Sequence, residues 1–227
     1  MDIPANQAGE NARSYALRVL LQNIISLDLP PGSAISENEL SATLNLSRTP
    51  VREALIELNK MKLVEIFPQR GSYISKIDYD LIEDSKFMRL VLENAILKLA
   101  CAGIPEQYLI ILKENLAAQK ASAERNDHTK FYQLDKQFHR TIFQSVGKDR
   151  VYDIIQTQMI HFDRLRSLSV KSIRYEKTVA DHEDILYAIE RKDCEMAEML
   201  MNRHLDRHQI ERSQLLDLYP DYFCSKN

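Results

Sequence analysis

The chain has 227 residues, of which 44% are hydrophobic and 28% are charged, a globular composition with room for two domains. It contains no run of about 18 apolar residues and no apolar stretch near its polar N-terminus, so we expect neither a membrane-spanning helix nor a secretory signal. Its net charge of −3 does not indicate nucleic-acid binding, which must therefore be argued from where the basic residues lie. The three cysteines are far apart and form no CxxC pair, which predicts free thiols in a reducing cytosol and a cytoplasmic protein.

The first part of the chain carries three short helical patterns. Apolar residues recur every three or four positions over 12–27, and Pro30-Pro31-Gly32 ends that helix. Ser36 begins a second helix as part of a capping box. Asn45 permits a tight turn, and a third helix follows with one apolar face. Two helices joined by a tight turn are typical of a helix-turn-helix.

After the third helix, the sequence pattern changes from one typical of helices to one typical of strands. Residues 63–67 and 72–75 are rich in β-forming side chains, and residues 68–71 between them have the composition of a turn. Three helices followed by a hairpin predict a winged helix-turn-helix domain over residues 1–77.

The rest of the chain is predicted to be helical throughout. Glycine and proline are scarce, and the clearest breaks are at Gly103 and Gly147. Six helical segments are predicted, at 80–101, 105–125, 128–146, 149–169, 173–191 and 193–216. The predicted fold is therefore mainly α, with an antiparallel helical bundle over residues 78–227 after the winged helix-turn-helix.

Basic residues lie where a helix-turn-helix would contact DNA. Arg48 and Arg52 are four positions apart near the start of the third helix, so they share a face that can reach base edges in the major groove. Thr49 can reach a phosphate, and Arg70 and Gly71 at the hairpin tip can approach the backbone or the minor groove. Two solvated arginines and an ordinary β-turn are the alternative interpretation.

The same segment carries a specific resemblance. The stretch SRTPVREAL, the preceding SENEL and the later Arg70-Gly71 resemble the DNA-binding domain of the GntR family of transcriptional regulators. The resemblance implies that Arg48 and Arg52 read an operator and that Gly71 lies in the wing. Members often carry arginine where this chain has Asn38, so an amide contact is expected at that position.

Four side chains in the second part form a candidate metal site. Asp135 and His139 are four positions apart and share a helix face, and His182 and His204 occur on later helical segments. One carboxylate and three imidazoles suit a divalent ion such as Zn, Ni, Mn or Fe. Spacing alone also allows scattered surface histidines, and His208, one turn after His204, is a competing ligand.

A second resemblance bears on this choice. The pattern LDxxFH, followed by DHxxIL and a histidine in the last helix, resembles the FCD effector domain of the FadR-type subfamily, in its metal-binding form. The resemblance implies that Asp135, His139, His182 and His204 bind a metal beside a small organic acid, and it argues against acyl-CoA as the effector. Arg89 is expected either to bind the effector carboxylate or to pair with Glu93.

Three hypotheses follow. The first is a regulator, usually a repressor, that binds a palindromic operator as a homodimer and responds to a carboxylate effector. The second is the same DNA-binding fold with a purely structural metal and no effector. The third is a metal-dependent hydrolase or isomerase, which is disfavoured because no general base or nucleophile motif accompanies the ligands.

Overall fold

The computed structural model describes residues 1–169, 175–206 and 212–224, and it divides into two compact units. Unit 1 consists of Met1–Ile82, Ile160–Ser169 and Ser213–Asn227, and unit 2 consists of Glu83–Met159 and Val170–Arg212. None of the helices in the described ranges is long and apolar enough to cross a lipid bilayer.

The described helices and strands follow the predicted order closely. The helices are α1 (Ala12–Ile25), α2 (Glu37–Leu44), α3 (Arg48–Lys60), α4 (Tyr79–Ala102), α5 (Glu106–Glu124), α6 (His128–Ser145), α7 (Asp149–Gln158), α8 (Ile160–Ser169), α9 (Tyr175–Glu190), α10 (Cys194–Asp206) and α11 (Arg212–Leu218). The strands are β1 (Ala34–Ile35), β2 (Val64–Phe67) and β3 (Gly71–Ile74). The mainly α fold and the winged helix-turn-helix are confirmed.

Unit 1 contains the helix-turn-helix and its wing. Ser36 caps α2 by accepting a hydrogen bond from the Glu39 amide at 3.5 Å, and Asn45 adopts φ 52° at the turn before α3. The antiparallel sheet has the order β1-β3-β2, and β2 faces β3 with Val64 opposite Ile74. Buried side chains of α1, α2, α3 and the sheet form one apolar core, which places the outer face of α3 toward solvent.

Helix α8 packs in unit 1 although it lies between unit 2 elements in the sequence. Ile160 joins the apolar core of unit 1, and a ring nitrogen of His161 lies 3.0 Å from the carbonyl oxygen of Met61, just after α3. Arg164 donates from Nη2 to the carbonyl oxygen of Ser75, just after β3, at 2.6 Å. The compact units therefore do not follow chain order, and the division at residues 77 and 78 stays a prediction about the sequence.

One predicted helical segment differs in detail from the structure, and another is described only in part. Segment 149–169 is two helices, α7 and α8, which are separated at Met159. Segment 193–216 is described as α10 up to Asp206 and as α11 from Arg212 onward. His208, the competing ligand, lies outside the described residues.

Within unit 2, α5 packs against α6 and α9, and α9 packs against α10, which brings the helices of the four candidate ligands together.

Candidate metal centre and DNA-binding surface

The first turns of α3 present the predicted DNA-contacting side chains. Arg48, Thr49 and Arg52 are all exposed. Arg52 pairs with Glu37 of α2, donating from Nε to Oε1 at 3.1 Å and from Nη2 to Oε2 at 2.9 Å. Exposed ion pairs contribute little free energy, so Glu37 orients the guanidinium of Arg52 but does not prevent it from binding another group. Asn38 is exposed on the first turn of α2.

The wing is a tight hairpin with an exposed tip. Arg70 and Gly71 are exposed, and Gly71 begins β3 opposite Phe67. Gly71 has φ 100°, a conformation that side-chain-bearing residues rarely adopt, while no atom lies within 4 Å of an added Cβ. Backbone conformation, and not lack of space, therefore accounts for glycine at this position.

Unit 2 brings the four predicted metal ligands into one buried cluster. Asp135 and His139 lie on α6, His182 on α9 and His204 on α10. One ligand atom from each lies within 4.8 Å of the ligand atoms of the others. His182 Nε2 is 3.4 Å from His204 Nε2 and 3.7 Å from Asp135 Oδ1. We call this set the four-ligand cluster.

Each histidine of the four-ligand cluster has an outer partner at Nδ1. The pairs are His139 with Glu93 Oε1 at 3.0 Å, His182 with Gln119 Oε1 at 2.8 Å, and His204 with Asp181 Oδ2 at 3.5 Å. An acceptor at Nδ1 holds the proton there and leaves the lone pair of Nε2 for another ligand. His139 and His182 are therefore prepared to donate through Nε2, whereas Nδ1 of His204 approaches Asp181 at a distance and geometry that do not make a hydrogen bond in the described part of the chain.

A chain of amides fixes the orientation at His182. The carbonyl oxygen of Leu134 accepts a hydrogen bond from Asn115 Nδ2 at 3.1 Å, and Asn115 Oδ1 accepts one from Gln119 Nε2 at 2.7 Å. Gln119 must therefore present its oxygen to His182, which can only donate from Nδ1. The backbone of α6 thus sets the tautomer of a histidine on α9.

A buried ion pair sets the tautomer of His139 in the same way. Burial alone would raise the pKa of Glu93, but His139 and Arg89 outweigh it and lower that pKa to about 2. Arg89 donates from Nε to Glu93 Oε1 at 3.0 Å, so the predicted pairing of these two residues is present. The ionised Glu93 accepts from His139 Nδ1, and its charge increases the basicity of the opposite ring nitrogen.

The electrostatic state of the four-ligand cluster matches what a metal requires. Burial lowers the pKa of His204, and burial together with His204 lowers that of His182 well below its usual value. Both imidazoles are therefore neutral near pH 7 and can act as ligands. His139 Nε2 is buried and has no hydrogen-bond partner among the residues that the structure describes, an arrangement that costs free energy unless an ion or a solvent molecule occupies the centre. The donor set and this unsatisfied atom fit a divalent transition metal.

Sequence reasoning did not identify the outer partners. Gln119 and Asn115 belong to no motif, and Glu93 was considered only as a partner of Arg89. Asp181 carried a local signal, since it directly precedes His182. It accepts from Arg203 Nη2 at 2.9 Å through the oxygen that does not face His204.

Comparison with known proteins agrees with both resemblances. Residues 16–74 match the gntR family of bacterial regulatory proteins, and residues 86–207 match the FCD domain. The HTH-type transcriptional repressor RspR of Escherichia coli K12 is 32% identical over 210 residues, which span 92% of each chain. The Uxu operon regulator of Haemophilus influenzae is 27% identical over 83% of this chain and 76% of that protein.

A solved structure supports the fold independently. Escherichia coli McbR/YncC superposes with a TM-score of 0.72 at 19% identity, covering 92% of this chain and 99% of that one. The matched families are regulators and not enzymes, which disfavours the metal-dependent hydrolase. The chain belongs to the gntR family of bacterial regulatory proteins and is a DNA-binding transcriptional regulator with an FCD domain.

Proposed function

We propose that this regulator is a repressor, that it acts in the cytoplasm as a homodimer on a palindromic operator, and that a small carboxylate bound at a metal in unit 2 controls its DNA binding. The observation that carries the proposal is the four-ligand cluster, whose histidines are all oriented to donate inward. Such a set requires several specific outer partners, which scattered surface histidines would not have.

The metal would be held by Asp135, His139, His182 and His204. Zn, Ni, Mn and Fe all accept this mixture of imidazole and carboxylate, so the donors do not select one ion. A bound ion that prefers six ligands keeps positions that a carboxylate can occupy. Arg89, which is buried and donates to Glu93, the outer partner of His139, is the side chain we assign to the other end of the effector.

The operator would be read by unit 1. Arg48 and Arg52 would contact base edges in the major groove, with Thr49 and Asn38 on phosphate or neighbouring bases. The wing tip, Arg70 and Gly71, would contact the adjacent backbone or minor groove. Two such units in a symmetric dimer read half-sites about 34–36 Å apart, which is why a palindrome is expected.

Control of DNA binding requires unequal affinity. The carboxylate must bind the DNA-competent and the DNA-incompetent states with different free energies, and operator must change the affinity for carboxylate by the same factor. A purely structural metal is the second candidate. The buried Nε2 of His139 supports both candidates equally, because an ion would satisfy that atom with or without an effector.

The first experiment measures bound metal. The wild type, His139→Ala, His182→Ala and the control His128→Ala, an exposed histidine on α6 outside the cluster, are purified without chelator and analysed for metal content. We expect near-stoichiometric metal in the wild type and the control, and its loss in both cluster variants.

Addition of carboxylates then separates the two candidates. Further thermal stabilisation of the metal-loaded wild type supports an effector site, and its absence for every acid supports a structural metal. A well-folded wild type that binds no Zn, Ni or Mn would contradict the metal site itself.

A further inference from the structure

An apolar face runs along the exposed side of α4 in unit 2. Phe87 is 68% exposed, Val91 50%, Leu99 47% and Met88 38%, although each is a side chain that normally lies inside a protein. Phe87, Val91, the exposed Ala95 and Leu99 recur every four residues, and Met88 lies three residues before Val91, so they form a continuous stripe and not isolated exposures. An exposed apolar stripe of this kind marks a surface that another molecule covers.

The opposite side of α4 already has partners within unit 2. Lys86 pairs with Asp206 of α10 at 2.7 Å, and Asn94, at the edge of the stripe about 60° from Val91, donates to Asn202 of the same helix at 3.0 Å. Buried residues such as Leu97 complete the inner face. The apolar stripe therefore lies on the side of α4 that the described part of unit 2 leaves exposed.

Charged residues of opposite sign lie at the two ends of the stripe. At about 100° per residue, Asp84, Phe87, Met88, Ala95 and Lys98 all project within about 60° of Val91. Asp84 lies about two turns before Val91 and Lys98 about two turns after it. Both are exposed. The face is thus acidic at its N-terminal end, apolar in the middle and basic at its C-terminal end.

We propose that this face is the surface through which two copies of the chain associate, with their α4 helices antiparallel and Val91 at the two-fold axis. This arrangement sets Asp84 of each copy against Lys98 of the other, and the large Phe87 against the small Ala95. A parallel arrangement would instead oppose like charges at both ends. The face is therefore complementary to itself in one orientation, which is what a symmetric dimer requires.

The dimensions suit a dimer interface. Helix α4 has 24 residues and is about 36 Å long, which allows a long antiparallel contact. The four exposed apolar side chains supply on the order of 300–400 Å² of apolar surface per copy, about half of the roughly 800 Å² that a stable interface buries on each partner. The polar side chains that flank the stripe supply the rest, as the rim of an interface does.

The intrachain ion pair of Lys98 competes only weakly with a contact to Asp84 of a second copy. Its ammonium lies 3.5 Å from Glu198 of α10, and the lysine side chain is 62% exposed. An exposed ion pair at this distance contributes little, so Lys98 can turn to Asp84 of a second copy when water leaves the face.

The inference rests on the proposed homodimer and names the surface that forms it. The test uses the full-length protein and measures the dimer dissociation constant by sedimentation and by dilution of labelled protein. The variants are Asp84→Lys, Lys98→Asp, the double variant with both changes, and Val91→Asp. Lys113→Asp is the matched control, because Lys113 is also an exposed lysine with an intrachain acid, Glu190, but lies on α5. Metal content and circular dichroism verify that each variant is folded.

We expect each single charge reversal to raise the dimer dissociation constant roughly 10- to 100-fold, since it places two like-charged pairs in one interface. The double variant exchanges the two ends of the face and should restore dimerisation to within roughly threefold of the wild type. Val91→Asp opposes two carboxylates at the axis and should give monomers, while Lys113→Asp should behave as the wild type.

Two results would overturn the inference in different ways. A dimeric protein whose dissociation constant is unaffected by Val91→Asp and by both single reversals has another interface, and the proposed dimer itself would stand. A wild type that remains monomeric at high concentration and binds operator as a monomer would overturn the interface and the proposed dimer together.

Discussion

Replacement of Gln119 by methionine tests whether the outer partners prepare the metal ligands. Gln119 is fully buried, accepts from His182 Nδ1 at 2.8 Å, and is itself held by Asn115. Methionine has nearly the same length and fills the same volume, but it offers only a weak acceptor. The change removes two hydrogen bonds, the one from His182 and the one to Asn115, and leaves the metal ligands themselves intact.

The cost of this change falls mainly on the metal-bound state. Without metal, His182 can move its proton to Nε2, which lies 3.7 Å from Asp135 Oδ1 and 3.4 Å from His204 Nε2. With metal on Nε2, the proton must remain on Nδ1, where it would be buried without an acceptor. An unsatisfied buried donor costs about 1–3 kcal/mol, so the metal dissociation constant should rise roughly 10- to 100-fold.

A competition titration against a chromophoric chelator measures this change. Gln119→Glu is the comparison variant, since it keeps an acceptor at the same position and should bind metal at least as tightly as the wild type. Unchanged metal affinity in Gln119→Met, in a variant that is folded, would refute the reasoning that the amide chain controls the His182 tautomer.

Three further predictions concern unit 1. Arg164→Met should leave the free energy of unfolding unchanged or raise it by about 1–4 kcal/mol. The reason is that the buried guanidinium donates to the Ser75 carbonyl, but its Nε and Nη1 have no partner among the described residues. A loss of unfolding free energy above about 1 kcal/mol in chemical denaturation would contradict this. Gly71→Ala should lower the same free energy by about 1–2 kcal/mol through its positive φ, and an unchanged value would contradict the strain argument. Arg48→Ala should weaken operator binding roughly 10- to 100-fold in fluorescence anisotropy, whereas Lys113→Ala should not, and equal losses in both would indicate a non-specific charge effect.

The sequence was most informative where a function or a turn needs particular residues. The capping serine Ser36 and the left-handed Asn45 marked the helix-turn-helix, and both act as expected. Asp135 and His139 could be paired in advance because a spacing of four positions on a helix fixes a shared face. Placing His182 and His204 beside them depended on the resemblance, since the packing of separate helices leaves no local signal.

Other features depend on tertiary structure and could not be predicted. Strand β1 has two residues, Ala34 and Ile35, which is too short for any periodic pattern. The break at Met159 has no glycine or proline to mark it. Helix α8 packs in unit 1 through Ile160, His161 and Arg164, whose partners there are distant in sequence and leave no local signal.

The central claim is that the four-ligand cluster controls operator binding, and one titration tests it most directly. Operator affinity of the metal-loaded wild type and of His204→Ala is measured with and without a panel of small mono-, di- and tricarboxylates. We predict that at least one acid changes the wild-type affinity by about fivefold or more and leaves the His204→Ala protein unaffected. Identical operator affinity with every acid, in a wild type that retains its metal, would contradict the account.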